Sequence, residues 1–222
     1  MTGRLIVTPF NTDTLLASPL MVKDELVTSY NLPPKDFLSI IIAEHEQLEL
    51  RKAYWGYTPP WLKQLDKSPY LARCESLKEK AMFRDSLQKR CLVPVSGYYE
   101  WKQFTRQKQA YAIRRGENRI FFLAGIWIRY PTSEYTFYDT FALLTTASNR
   151  FIHNVSERMP VIIPKEQYLD WLTGTEEQVN ELLTPMPEDY LDYYPVSPLV
   201  NNPANASRAV AEASGKRFRF QA

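Results

Sequence analysis

An α+β fold, with a mostly antiparallel, barrel-like β core and peripheral helices, is what this sequence predicts. Three observations carry that expectation. The 54-residue stretch from Arg90 to Leu143 reads as one strand after another. Helix-compatible segments are interspersed outside that stretch. Neither an internal repeat nor a low-complexity linker breaks the 222 residues, so a single domain over residues 1–222 is expected.

In chain order, strands are expected at Arg4–Val7, Ala53–Trp55, Cys91–Val95, Tyr98–Gln103, Tyr111–Ile113, Ile120–Ile128, Thr136–Thr145 and Pro160–Ile163. These segments combine β-branched and aromatic residues, and turn residues separate them. Ile120–Ile128 is almost wholly apolar, which predicts burial on both faces. Helices are expected at Lys35–Gln47, Ser76–Lys89, Pro164–Trp171 and Thr175–Leu183. In the last of these Thr175 suits an N-cap, and the acidic residues after it suit the first turn. Within Tyr98–Gln103, period two puts Tyr98, Glu100 and Lys102 on one face and Tyr99 and Trp101 on the other. Glu100 is then either half-exposed beside Lys102 or held in a pocket for a purpose, since an unpaired carboxylate is costly to desolvate in a core.

Composition narrows the function classes. The chain is 45% hydrophobic and 14% aromatic, enough for a substantial core. Its 16 prolines against 7 glycines point to rigid turns rather than flexible linkers. A net charge of +2 means that any nucleic-acid role rests on a local patch. The cysteines are Cys74 and Cys91 and the histidines His45 and His153, too few for a Cys/His zinc cluster or a disulfide scaffold. The opening MTGRLIVTPF does not read as a secretory signal, and no apolar run approaches the roughly 20 residues of a membrane span. A soluble, cytoplasmic protein is expected, without metal or organic cofactor.

Several segments admit two readings. Tyr30–Pro34 (YNLPP) and Tyr54–Trp61 (YWGYTPPW) are either rigid apolar loop surfaces on which bases stack or proline-rich turns capped by core tryptophans. In Leu71–Ser76 (LARCES), Arg73 either binds phosphate or pairs with Glu75, flanking a helix start. In Ser156–Ile163 (SERMPVII), Arg158 reads by default as a structural salt bridge. Cys74 and Cys91 read as buried thiols, and the C-terminal KRFRF as a solvated basic tail.

Short motifs run in order across almost the whole chain: Gly3-Arg4; Tyr30-Asn31 with Pro34; Trp55-Gly56 with Pro59; Ala72-Arg73 with Glu75; Pro94, Gly97 and Glu100-Trp101; Ala124-Gly125 with Trp127; Thr145-Thr146 with Ala147; Arg158-Met159-Pro160; and Pro195-Val196-Ser197 with Val200-Asn201. In order and approximate spacing they resemble the SOS-response-associated peptidase family, the abasic-site-processing proteins. The resemblance implies a compact β-rich fold with a positively charged cleft for single-stranded DNA, and binding of single-stranded or junction DNA is expected. It also implies an N-terminal cysteine, exposed by methionine removal, whose amine and thiol capture the abasic-site aldehyde as a stable ring. The family glutamate corresponds to Glu100, which would hold and help deprotonate that amine.

The departures from the family pattern fall on the chemistry. Thr2 stands where the family has cysteine, Leu71 where it has asparagine, and Ser156 where it has histidine, with His153 three residues earlier. The DNA-contact positions that the resemblance implies are better kept: Arg4, Asn31, Pro34, Trp61, Arg73 and Arg158. A free α-amine titrates near ~7.7–8, against ~10.4 for lysine, so the Thr2 amine is a competent Schiff-base former. The hydroxyl is a poorer ring-closing partner than a thiol. The expectation is a weak, reversible adduct with abasic DNA that permits β-elimination; its rival is a non-catalytic DNA-binding or protein-interaction module. A monomer is expected, nucleoid-associated when bound to DNA.

Overall fold

The computed structural model describes residues 3–84, 86–116 and 119–221. Among them are the strands β1 (Arg4–Val7), β2 (Leu20–Val22), β3 (Ser29–Leu32), β4 (Phe37–Glu44), β5 (Gln47–Trp55), β6 (Leu71–Arg73) and β7 (Arg90–Val95). They continue with β8 (Gly97–Gln103), β9 (Lys108–Arg114), β10 (Phe121–Pro131), β11 (Phe137–Ala147), β12 (Arg158–Pro160), β13 (Ile162–Ile163) and β14 (Asp192–Pro195). The α-helices are short: α1 (Arg150–His153), α2 (Tyr168–Thr173) and α3 (Glu176–Glu181).

One sheet has the order β14-β9-β8-β1-β3. The other runs β12-β11-β10-β7-β4-β5-β2, with β13 added on β10 and β6 on β11. A parallel pairing of β5 with β11 closes β11-β10-β7-β4-β5 into a five-stranded barrel. Most other pairings are antiparallel, so the expected α+β, barrel-like architecture holds. Alternation explains how three apolar clusters arise from these strands. Leu38, Ile40, Val93, Leu123 and Phe141 join Leu5, Tyr98 and Ile113 between barrel and five-stranded sheet. Ile41, Leu92 and Ile126 face the opposite way, against Trp171 and Leu172 of α2. Ile6, Tyr99 and Tyr194 form a third cluster, closed by Val200, Val210 and Ala211. Because β10 lies between the first two, Phe121–Trp127 are all buried, as its unbroken apolar run predicts.

Two helix expectations are corrected. Lys35–Gln47 is β4 and its hairpin turn. Ile40, Ile41 and Ile42 are β-branched and feed alternate faces to two cores. His45 and Glu46, at φ 52° and 61°, make the two-residue turn that pairs Glu44 with Gln47. Ser76–Lys89 forms short 3₁₀ turns at Cys74–Ser76 and Ser86–Gln88 instead. Its buried anchors Leu77 and Phe83 are six residues apart, a spacing that one helical face does not repeat. Of the other two expected helices, Pro164–Trp171 becomes a 3₁₀ turn at Lys165–Gln167 followed by α2, which runs on to Thr173, and Thr175–Leu183 shortens to α3. Thr175 caps α3 in a reciprocal box with Gln178, ahead of Glu176 and Glu177.

A charge network closes one end of the barrel. The Arg51 guanidinium donates to Glu44 and to Glu49, both at 2.5 Å, and pairs with Asp139 at 3.4 Å. Arg129 reaches Asp139 at 3.1 Å and Glu44 at 3.5 Å. Glu49 and Asp139 are buried while Glu44 and Arg129 are partly exposed, so these ion pairs tie β4, β5, β10 and β11 together at the barrel rim.

Candidate functional site

Strand β1 runs antiparallel to β8, with Arg4 opposite Tyr99, Leu5 opposite Tyr98 and Ile6 opposite Gly97. One more step of that register puts Gly3 opposite Glu100. Gly97 permits the close approach of β8 to both neighbours: a Cβ there would stand 2.9 Å from the Ile113 carbonyl oxygen of β9 and 3.2 Å from Ile6 Cδ1 of β1. Thr2 lies outside the described residues. Glu100 has no solvent exposure, so the half-exposed reading of this acid is set aside. Lys102 instead lies over the Phe104 ring, 5.5 Å from its centroid. Glu100 faces the same way as Tyr98, and its cross-strand neighbour Tyr111 packs edge-on against Tyr193 at 5.7 Å. Burial pushes the Tyr98 phenol well above its ordinary pKa, and the Glu100 charge adds to the rise. The Tyr98 hydroxyl is buried and has no hydrogen-bond partner among the described residues. Alternation put Tyr98 on the Glu100 face, but no sequence signal singled it out as part of the site.

Arg73 and Arg158 converge on the end of β11. Arg73 is opposite Thr145 across the β6–β11 pairing, and Arg158 is opposite Ala147 across the β11–β12 pairing. Glu75 is held by Arg158 rather than Arg73, through bonds of 3.0 and 2.8 Å from the two terminal nitrogens. Arg158 also donates to the Thr145 carbonyl at 2.6 Å. The hydrogen bond from Arg158 is the main cause that keeps the Glu75 carboxyl below its ordinary value. Arg73 is exposed and makes no side-chain hydrogen bond or ion pair with the described residues. It is the one of the two with all its donors available to a phosphate.

Arg4 and Asn31 behave differently from the contact role expected of them. The Arg4 side chain donates to Asn31 Oδ1 at 3.0 Å and to the Val200 carbonyl at 2.9 Å. Asn31 is 1% exposed, and its Nδ2 donates to the carbonyls of Val200, Asn202 and Asn205 at 3.1, 3.0 and 3.0 Å. The Asn31 side chain is therefore a clamp on residues 198–205, not a surface contact, because its polar atoms are consumed inside the protein. Of the YWGYTPPW tryptophans, Trp55 is core, stacked on Phe141 and donating to the Tyr70 carbonyl at 2.9 Å. Trp61 is 62% exposed on the loop. Half-buried Pro34 precedes Lys35, whose ammonium ties that turn to the carbonyls of Leu65 and Ser68. Each tryptophan thus follows one of the two readings.

The described residues contain no group of three or more His, Cys, Asp or Glu placed to hold a metal. None of their helices is long and apolar enough to cross a membrane.

The family model for SOS response associated peptidase (SRAP) matches residues 1–203. This chain belongs to the SRAP family. It is 33% identical over 216 residues to the abasic site processing protein YoqW of Bacillus subtilis, covering 94% of each chain. It is 34% identical over 200 residues to YoaM of the same organism, also named an abasic site processing protein, with 86% and 87% covered. A crystal structure of a protein from Bacteroides thetaiotaomicron superimposes with a TM-score of 0.75 at 26% identity, over 85% of this chain and 87% of that one. Within the SRAP frame, the departures have physical consequences. Leu71, in the place of the asparagine, packs its side chain against the central core. At Ser156, in the place of the histidine, the backbone carbonyl accepts a 2.7 Å bond from the Ser148 hydroxyl. His153 is exposed, with Nδ1 3.4 Å from the same hydroxyl, so its ring is close to position 156 without replacing it.

Proposed function

We propose that this SRAP protein binds single-stranded or junction DNA and captures the abasic-site aldehyde as a reversible Schiff base on the Thr2 α-amine. The observation that supports the reading is Glu100, buried and one register step from the strand that begins at Arg4. After removal of Met1, the neutral amine attacks the aldehyde carbon to give a carbinolamine. Loss of water from it leaves the protonated imine. Glu100 takes the proton from the attacking nitrogen, solvent protonates the alkoxide oxygen, and Glu100 then returns its proton to the departing hydroxyl. With threonine in place of cysteine, no thiol closes the ring, so hydrolysis and β-elimination stay open to the imine. Exposed Arg73 holds backbone phosphate, while Trp61 and Pro34 present apolar surface to unpaired bases.

A denaturing gel after incubation with abasic single-stranded DNA and borohydride tests the chemistry. The wild type should give a trapped band. Glu100→Gln should slow its appearance by about a hundredfold or more, the usual range for general acid–base assistance. A second reading is favoured by the apolar Leu71 and the missing imidazole at Ser156: a module that binds DNA without reacting. Measurable DNA binding with no trapped band in the wild type would select it.

A further inference from the structure

We propose a second, separate site: a phosphate-binding pocket beneath the C-terminal segment, on the face of the five-stranded sheet opposite Glu100. A cavity of about 220 Å³ is lined by Tyr30, Arg114, Tyr194, Arg208, Glu212 and Arg217, among others. It is smaller than the roughly 300–1,000 Å³ pockets that enclose drug-sized ligands, which suits a phosphate group rather than a whole nucleotide.

The donors are placed from three sides. Arg114 is buried at the base, its Nε–H donating to the Ser96 carbonyl at 3.0 Å. Arg217 lies over the Tyr194 ring, 4.6 Å from its centroid, which fixes the guanidinium plane. Its pairing with Asp192 is 3.5 Å, longer than the roughly 2.7–2.9 Å of a strong charge-assisted bond. Arg208 is exposed and makes no hydrogen bond or ion pair with the described residues. Arg208 and Arg217 thus reach the pocket beside one lining carboxylate, Glu212, with Asp192 behind Arg217 and Arg114 forming the base. The Tyr194 hydroxyl is already spent on the Ala211 carbonyl at 2.9 Å, leaving Arg208 and Arg217 as the recognising groups. The tail is anchored, not loose: Phe218 bridges to Tyr193 and Ala213 to Val196. Residues 208–217 lie past the segment matched by the family model, so the pocket is not implied by family membership.

Calorimetric titration of the full chain with inorganic phosphate, at ionic strength held constant with sodium chloride, tests the site without DNA. Saturable one-site binding is expected, weakened about tenfold or more in R208Q and again in R217Q. R208Q is the cleaner variant, because Arg208 makes no hydrogen bond or ion pair with the described residues, and R73A should leave phosphate binding unchanged. Fluorescence anisotropy with an intact single strand separates the sources of the phosphate. If a DNA backbone occupies the pocket, R208Q lowers DNA affinity and free phosphate competes; if free phosphate is the ligand, DNA affinity is untouched. Either result supports the site. Absence of saturable phosphate binding in the wild type, or affinity unchanged from the wild type in both variants, overturns it whatever the fate of the abasic-site chemistry.

Discussion

Arg73 and Arg158 differ in what they have left to offer a ligand. Arg158 is committed to Glu75 and Thr145, while Arg73 is exposed with its donors open. Arg73→Ala should weaken single-stranded DNA binding evenly across sequences and reduce the slope of log affinity against log salt by about 0.7, as loss of one phosphate contact requires. A changed sequence preference at unchanged slope would contradict that role. Tyr98 gives a complementary prediction. Its buried hydroxyl has no partner among the described residues, so Tyr98→Phe removes a desolvated group without breaking a bond to any of them. Urea denaturation should show stability unchanged or raised by up to about 1 kcal/mol. A clear loss would mean that the hydroxyl is engaged in solution.

At the level of elements, the strands of the Arg90–Leu143 stretch were legible because alternation and apolar runs are local signals. The β4–β5 hairpin was not, since its turn is built from His45 and Glu46 instead of the usual Asn or Gly, and KDFLSIIIAEHEQ carries charge at both ends like an amphipathic helix. The network around Arg51 was equally hidden: Arg51 and Asp139 meet only because β5 and β11 close the barrel. Arg51→Met should cost about 3 kcal/mol or more in urea unfolding by stranding buried carboxylates, an outcome that distinguishes a structural network from an idle surface cluster. Acid should act through the same groups. Burial by itself would raise the Glu44 carboxyl, but Arg51, Arg129 and His45 outweigh it and hold the pKa below its ordinary 4.5. A depressed folded pKa favours the folded state above that value, so this contribution is present at neutral pH and is lost as pH falls through the lowered pKa. Unfolding midpoints should decline below about pH 4.5 more steeply in the wild type than in Glu44→Gln.

For the molecule as a whole, the family was readable as a set of ordered motifs, yet their separate tasks were not. The motifs containing Tyr30-Asn31 and Val200-Asn201 interlock through the Asn31 amide, a structural bond between segments 169 residues apart. Glu100 and Arg73 keep side chains suited to chemistry and to phosphate, the first by burial beside the β1 register and the second by exposure at the end of β11. No local pattern separates these cases, because burial of a polar side chain is decided by strands distant in sequence. The account rests on the amino end of the chain meeting the abasic aldehyde beside Glu100. Peptide mapping by mass spectrometry of the borohydride-reduced wild-type adduct tests that most directly. The account predicts the DNA-derived sugar on the α-amine of Thr2, with Met1 absent; a label confined to lysine side chains, or an adduct formed with Met1 retained, would contradict it.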